Sequence, residues 1–364
     1  MLRIVVSCLA LAVAVPIAHA DAYTDCSQEQ DRDREIRGCS EIISKGRETK
    51  DNLAKAYNNR GVAYGIMGGY DRAIADFTSA IGLSPEDADT YNNRGNVYSM
   101  MGDYDHAIGD FTEAIRRNPH NANAYNYRAR AYKGKRDYER AIADFGEVIR
   151  LAPHSAPAYN NRGAAYGIMG DHDRAIADFT EAIGLSHQNA TTYRNRGNAL
   201  IAKGDYNGAI ADFTAAIRLN PGNADGYNGR AWTYFKAGRA AEGLPDAQKA
   251  VELAPKDAQI LDTRAHIYEA IGRKDDAVAD YGRALSLDPS HEGSREGLKR
   301  LGVEPPPLTE RIGLPLGGQC QGCGQLQETL PSRHRHRPGP GHSVSRCQIL
   351  EHQAGATMAA VHVT

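Results

Sequence analysis

The sequence predicts an all-α solenoid of stacked two-helix units, and three observations carry that prediction. The chain repeats itself every 34 residues: copies begin at Ala54, Ala88, Ala122, Ala156, Ala190, Ala224 and Ala258, and the last ends at His291, with no insertion. A fixed period of this length marks a repeat architecture. Within each copy, counted from its first alanine, apolar and small residues recur at positions 4, 8 and 11 and again at 20, 24 and 27. That is the spacing of one helical face, met twice. Glycine at position 15 (Gly68, Gly102, Gly170, Gly204, Gly238, Gly272) and proline at position 32 (Pro85, Pro119, Pro153, Pro221, Pro255, Pro289) punctuate the two helices. Glycine supplies the left-handed residue that ends the first helix, and proline stops the second. One hairpin cannot bury its apolar face alone, so neighbours must stack.

Position 8 holds Gly61, Gly95, Ala129, Gly163, Gly197, Ala231 and Ala265, and position 24 holds Phe77, Phe111, Phe145, Phe179, Phe213, Ala247 and Tyr281. With an aromatic at position 4, small residues at 8 and 20, aromatics at 11 and 24, alanine at 27 and proline at 32, the unit resembles the tetratricopeptide repeat family. The resemblance implies a right-handed superhelical solenoid of seven helix-turn-helix repeats over residues 54–291. It also implies a concave groove lined by the first helices, through positions 2, 5, 6, 9, 12 and 13, that binds a protein or peptide.

Position 7 is arginine in every copy (Arg60, Arg94, Arg128, Arg162, Arg196, Arg230, Arg264), and position 23 is aspartate in every copy (Asp76, Asp110, Asp144, Asp178, Asp212, Asp246, Asp280). The expected arrangement is a structural ladder of Arg–Asp pairs that fixes register while adding little net stability. Some copies depart from the pattern. Arg136 stands where the left-handed glycine belongs, at a cost of about 1 kcal/mol, and His187 replaces a stop proline. Gly243 and Pro245 fall inside the second helix of repeat six, which is expected to be a soft joint.

The ends read differently. Arg3, an apolar run from Ile4 to Val15, and Ala18-His19-Ala20 have the form of a secretory signal peptide over residues 1–20, with mature chain from near Asp21. In residues 21–53, Ile36, Cys39 and Ile43 fall in phase with positions 17, 20 and 24 of a preceding unit, as in a capping half-repeat. In an oxidising compartment Cys26 and Cys39 are expected to form a disulfide, the alternative being two independent thiols. A continuous helix would hold them about 20 Å apart, so the chain must fold back. Residues 292–301 form a short cap through Leu298 and Leu301. Residues 302–364 are rich in proline, cysteine and histidine without apolar periodicity, and are expected to be disordered. Cys320, Cys323 and Cys347 with His334, His336 or His342 lack the paired couples of a structural zinc site, so no metal is expected.

Composition narrows the function. With 43 basic and 45 acidic residues and a pI near 6.7, the chain is a poor electrostatic match for nucleic acid. It holds no phosphate-cradling loop, H-E-x-x-H, G-x-S-x-G or calcium loop, so neither catalysis nor a cofactor is expected. No segment after the leader reaches membrane-spanning length. Position 5 carries Asn58, Asn92, Asn126, Asn160 and Asn228, position 6 carries Asn59, Asn93, Asn161 and Asn195, and Asn96 and Asn198 follow at position 9. A side-chain amide donates and accepts, so such rows suit the backbone of an extended peptide. The alternative is that these residues solvate a polar face or bridge neighbouring repeats. Arg130, Lys133 and Arg194 add positive charge, and Trp232 with Phe235 offers an apolar anchor. The sequence thus points to an exported scaffold that binds a protein or peptide in its groove, with a monomer favoured and the oligomeric state left open. An envelope component acting by self-association is the second reading.

Overall fold

The computed structural model describes residues 22–28 and 30–307; the leader assigned to residues 1–20, and the tail beyond 307 with its cysteines and histidines, lie outside the described residues. Among the described residues every element is helical. A short hairpin of α1 (Ala22–Ser27) and α2 (Arg32–Lys45) precedes the repeats. Repeats one to three follow as α3 (Lys50–Ile66) with α4 (Tyr70–Leu83), α5 (Ala88–Met100) with α6 (Tyr104–Arg117), and α7 (Ala122–Gly134) with α8 (Tyr138–Leu151). Repeats four and five are α9 (Ala156–Ile168) with α10 (His172–Leu185) and α11 (Ala190–Lys203) with α12 (Tyr206–Leu219). Repeats six and seven are α13 (Ala224–Lys236) with α14 (Ala240–Leu253) and α15 (Ala258–Ala270) with α16 (Lys274–Leu287), and α17 (Glu292–Arg300) closes the array. Each helix packs on its chain neighbours, and successive first helices lie side by side.

Local chemistry sets these boundaries. Asp103, Asp137, Asp171 and Asp205 each accept a hydrogen bond from the backbone N–H three residues on, which caps the second helices of repeats two to five. Position 15 is left-handed throughout, and Arg136 adopts the same conformation, at φ 61°, without the freedom of glycine. Position 24 supplies the core, with Phe77, Phe111, Phe145, Phe179, Phe213 and Tyr281 all buried. The expected weakness of repeat six takes another form. Helix α14 runs unbroken through Pro245. A Cβ on Gly243 would come within 2.9 Å of the Ala231 carbonyl oxygen, so this glycine lets α14 close on α13.

The Arg–Asp ladder is complete. Each position-7 arginine grips the aspartate of its own repeat with two hydrogen bonds, for example Arg94 Nε and Nη2 to Asp110 at 2.8 Å each. Those bonds hold the Arg94 guanidinium above its usual pKa against the opposing effect of burial. A further bond crosses the repeat boundary. The Nη1 of Arg94, Arg128, Arg196 and Arg230 donates to Thr78, Thr112, Thr180 and Thr214 of the preceding repeat, at 2.9–3.1 Å. Arg162 faces Gly146 at that place and has no such hydroxyl.

The same bond gives the register of the N-terminal hairpin. Arg60 Nη1 donates to Ser40, not to Ser44, which is the residue sixteen positions earlier. Helix α2 is therefore a second helix displaced by one turn from the phase expected for Ile36, Cys39 and Ile43. Its buried residues are Glu35, Gly38, Cys39 and Ile42, and α3 begins one turn early to compensate. Cys39, beside Ser40, stands where the repeats place phenylalanine. The chain folds back through α1, and Cys26 and Cys39 form a disulfide with Cα atoms 4.6 Å apart. At the other end, Gly302 turns the chain, Val303 N–H donates to the Leu298 carbonyl at 2.9 Å, and Pro305 is buried.

Candidate functional site

The first-helix face holds the residues picked out by the sequence, and the structure uses them in different ways. Asn93 Nδ2 donates to Asn58 Oδ1 at 3.0 Å, and Asn195 Nδ2 donates to Asn160 Oδ1 at 3.4 Å. In each pair, position 6 of one repeat holds position 5 of the one before. Asn59 Nδ2 reaches the Cys26 carbonyl at 3.1 Å, which ties α3 to the hairpin. Asn92 is buried, and its Oδ1 and that of Asn228 are enclosed without a partner. Asn126 and Asn161 are partly buried, whereas Asn96 and Asn198 are exposed. Part of the amide row thus joins repeat to repeat, and part remains open to a ligand.

The cations divide in the same way. Arg194 is paired with Asp225, Lys135 with Asp105 and Lys203 with Asp173. Arg130 and Lys133, one turn apart on α7, have no acidic partner among the described residues. Burial, with the charge of Arg130 beside it, holds the Lys133 ammonium below the usual lysine pKa. A desolvated cation next to a like charge is stabilised by a carboxylate that reaches both.

Trp232 and Phe235 are partly exposed, with ring centroids 5.0 Å apart. His266 meets both edge-on at 5.6 Å and meets Tyr281 at 5.3 Å. A polar network lies behind them. His266 Nδ1 is 2.9 Å from the Asp262 carbonyl oxygen, and buried Asp262 accepts from Ser294 Oγ at 2.7 Å. Tyr281 donates its hydroxyl to Glu269 at 2.8 Å, and Arg300 of α17 grips Glu269 through Nε and Nη2. Burial, then the bond to Glu269, pushes the Tyr281 phenol well above its usual range, while Arg300 holds the Glu269 carboxyl low. These groups close the C-terminal end of the face and leave the aromatic pair as its edge.

Between repeats four and five the same face opens into a recess of about 320 Å³. Ala164, Gly167, Phe179 and Ala199 line it, Ile168 stands at its mouth and Asn195 and Asn198 edge it. His172 also lines it, with its Nδ1 enclosed and unpaired. Elsewhere, no cluster of His, Cys, Asp and Glu among the described residues has the form of a metal site, and no described helix is long and apolar enough to cross a membrane.

Comparison with known proteins places this geometry. Models described as tetratricopeptide repeat match residues 88–121, 156–189, 111–143 and 258–291, and one described as TPR repeat matches 66–102 and 197–238. The chain belongs to the tetratricopeptide repeat family. Solved structures agree on the fold. A tetratricopeptide repeat protein from Parabacteroides merdae superposes with a TM-score of 0.54 at 21% identity, covering 68% of this chain and 97% of that one. The C-terminal part of a TPR repeat-containing protein from Cytophaga hutchinsonii gives 0.54 at 21% identity, over 65% and 98%. PilW, a type IV pilus biogenesis factor, gives 0.53 at 20% identity, over 58% and 98%. No curated protein matches the chain significantly. A tetratricopeptide array has the architecture of a protein–protein interaction scaffold, and this one keeps part of its first-helix face free of internal partners.

Two features of this face were missed by sequence reasoning. His266, Glu269 and Arg300 fall at positions 9 and 12 of repeat seven and position 9 of the next register, so continuing the count past His291 would have aligned them. The recess was legible only by comparing repeats with one another, because each of its residues taken alone is an ordinary variant of the pattern.

Proposed function

We propose that the protein is exported and binds an extended, acidic segment of a partner protein along its first-helix face. The observation that carries this reading is the Arg130–Lys133 pair. The neighbouring cations Lys135, Arg194 and Lys203 have carboxylate partners within the chain, whereas this pair has none among the described residues. A carboxylate from a partner supplies what the fold withholds. Exposed Asn96 and Asn198 flank the pair in sequence and are free to hydrogen-bond a partner's backbone, and Trp232 with Phe235 anchors an apolar group further along. Export rests on the leader-like N-terminus and on the disulfide, which persists in oxidising compartments. The test is capture of partners from envelope extract by the mature chain. Arg130→Glu with Lys133→Glu should abolish capture at unchanged melting temperature, while Arg150→Glu, on a second helix, should not. Capture that survives the double reversal refutes the groove reading, and a full-length chain retained in the cytosol refutes export.

Self-association is the second reading, and one observation favours it. Ile66, Met67, Met100, Met101, Ile168 and Met169 are 45–60% exposed at the ends of first helices, an apolar rim of the kind that mediates contact. Light scattering decides: a monomer at micromolar concentration excludes this reading.

A further inference from the structure

The recess between repeats four and five is an exception within a layer that recurs at every repeat boundary. At each repeat boundary that layer is built from positions 9, 12 and 17 of one repeat and position 10 of the next. At the first boundary these are Val62, Gly65, Tyr70 and Val97, which pack together over Ala73 and Phe77. A Cβ on Gly65 would come within 3.3 Å of the Val97 side chain, so the space is filled. Tyr104, Tyr138 and Tyr206 hold position 17 at the second, third and fifth boundaries. At the sixth, position 17 shrinks to Ala240, but Phe235 and Ile267 pack against it instead, with Trp232 beside Phe235. Only at the fourth boundary are the positions reduced together, to Ala164, Gly167, His172 and Ala199. There a Cβ on Gly167 would meet nothing closer than Ala175, at 3.8 Å.

The recess lies at the boundary where position 17 is His172, whereas four sister boundaries hold a tyrosine ring at that position, from Tyr70, Tyr104, Tyr138 and Tyr206. Its walls are mostly apolar, with the amides of Asn195 and Asn198 at its edge. An aliphatic side chain would fill the space without the ring and the hydroxyl that a tyrosine brings. A phenol replaces the ring that the sister boundaries hold and keeps its hydroxyl for the edge of the recess, where the exposed Asn198 amide can donate or accept. The unpaired cations Arg130 and Lys133 lie on the preceding repeat of the same face. We infer that the recess is a selectivity pocket for a tyrosine side chain of the partner, in a segment that also carries a carboxylate for Arg130 and Lys133. The second half of this statement rests on the groove reading above; the pocket does not.

The test uses the full chain with labelled histidine and p-cresol, the tyrosine side-chain analogue, observed by NMR. The His172 signal is assigned by its loss in His172→Tyr. Saturable shifts of that signal by p-cresol, with a Kd near 1 mM and at least threefold weaker binding of toluene, are expected. In the variant carrying Ala164→Val, His172→Tyr and Ala199→Val, whose layer copies the first boundary, p-cresol should bind at least tenfold more weakly. That loss is read by protein-detected tyrosine and methyl signals, and circular dichroism verifies the fold. If the triple variant misfolds, His172→Tyr alone serves, since its own phenol competes for the pocket. No saturable binding up to about 10 mM, or equal binding to the filled variant, overturns the pocket. Capped peptides then separate the two readings. Binding that tightens when aspartate is added beside tyrosine, and loses that gain in Arg130→Glu with Lys133→Glu, supports the combined site. Binding of p-cresol with no peptide binding leaves the pocket standing and overturns the groove.

Discussion

Repeats one and four differ little in sequence, yet the boundaries they form with the next repeat are opposite in kind. Tyr57–Gly61 and Tyr159–Gly163 are the same five residues, and Ile74–Phe77 matches Ile176–Phe179. The Arg–Asp grip is the same in both, with carboxylates 8% exposed. What differs is one layer, where Val62, Tyr70 and Val97 become Ala164, His172 and Ala199. A repeat array can afford this because each unit contacts only its neighbours, so an opening at one boundary leaves the others intact. Ladder and core set the fold, and the layer above them is where copies can diverge towards binding.

The largest expected effect comes from converting the closed boundary into the open one. Val62→Ala, Tyr70→His and Val97→Ala together remove well-packed volume, and should cost about 4 kcal/mol in unfolding by denaturant. They should also create a second p-cresol site. If stability falls and no second site appears, shape at this layer is not what makes the recess.

Breaking the ladder, which every repeat shares, should cost less, and should do so whether or not the layer is filled. Arg94→Ala strands buried Asp110 and is expected to cost about 3 kcal/mol. Arg162→Ala should cost about 1 kcal/mol less, because Arg162 lacks the hydroxyl partner that Thr78 gives Arg94. Chemical denaturation of the two variants decides, and equal losses would show that the bond across the boundary contributes nothing.

The ladder and the fold were legible because both are periodic: each of the seven arginines lies sixteen residues before its aspartate, and a regular spacing needs no coordinates to be read. The boundary bonds escaped because position 25 alternates between threonine, glycine and glutamine, and only the direction of Nη1 shows what the threonine does. The hairpin phase escaped for a similar reason. Cys39 was recognised as a core residue, but a one-turn lengthening of α3 moves it from position 20 to position 24, and helical spacing fits both. Among the candidate binding residues the pattern marked one face without distinguishing Asn58 and Arg194, which are occupied within the chain, from Asn198 and Lys133, which are not. That distinction depends on neighbours one repeat away.

Gly146 provides a gain of function for the ladder. It lies on α8, partly exposed, and a Cβ there would sit 3.8 Å from Arg162 Nη1, an ordinary contact with room for a hydroxyl. Gly146→Thr should raise stability by about 1 kcal/mol, from the new hydrogen bond and the lost flexibility of a helical glycine. The gain should vanish in an Arg162→Ala background. A double-mutant cycle measures this coupling directly.

The C-terminal end offers a third version of the layer, closed by polar groups, and here the expected effect is the smallest and depends on pH. Burial pulls the His266 imidazole down, but the carboxylate and carbonyl of Asp262 outweigh it and Arg300, and hold its pKa above the usual histidine value. A group raised on folding contributes stability that is fully present below the unfolded value of about 6.5 and is lost as pH rises through the folded value. The groups facing it fix the reading: Asp262 favours the cation, Arg300 opposes it, and Trp232, Phe235 and Tyr281 surround it with rings. Hydrogen exchange in α15–α17 should therefore quicken as pH rises above about 6.5, after correction for the intrinsic pH dependence of exchange. His266→Gln should flatten that trend while leaving α3–α6 unchanged. His291 also faces Asp262, at 3.7 Å, so the variant isolates the contribution of His266. A trend that persists unchanged in His266→Gln would overturn the assignment of the pH dependence to His266. The aromatic edge of the groove would then be closed by packing alone, as Val62, Tyr70 and Val97 close the first boundary.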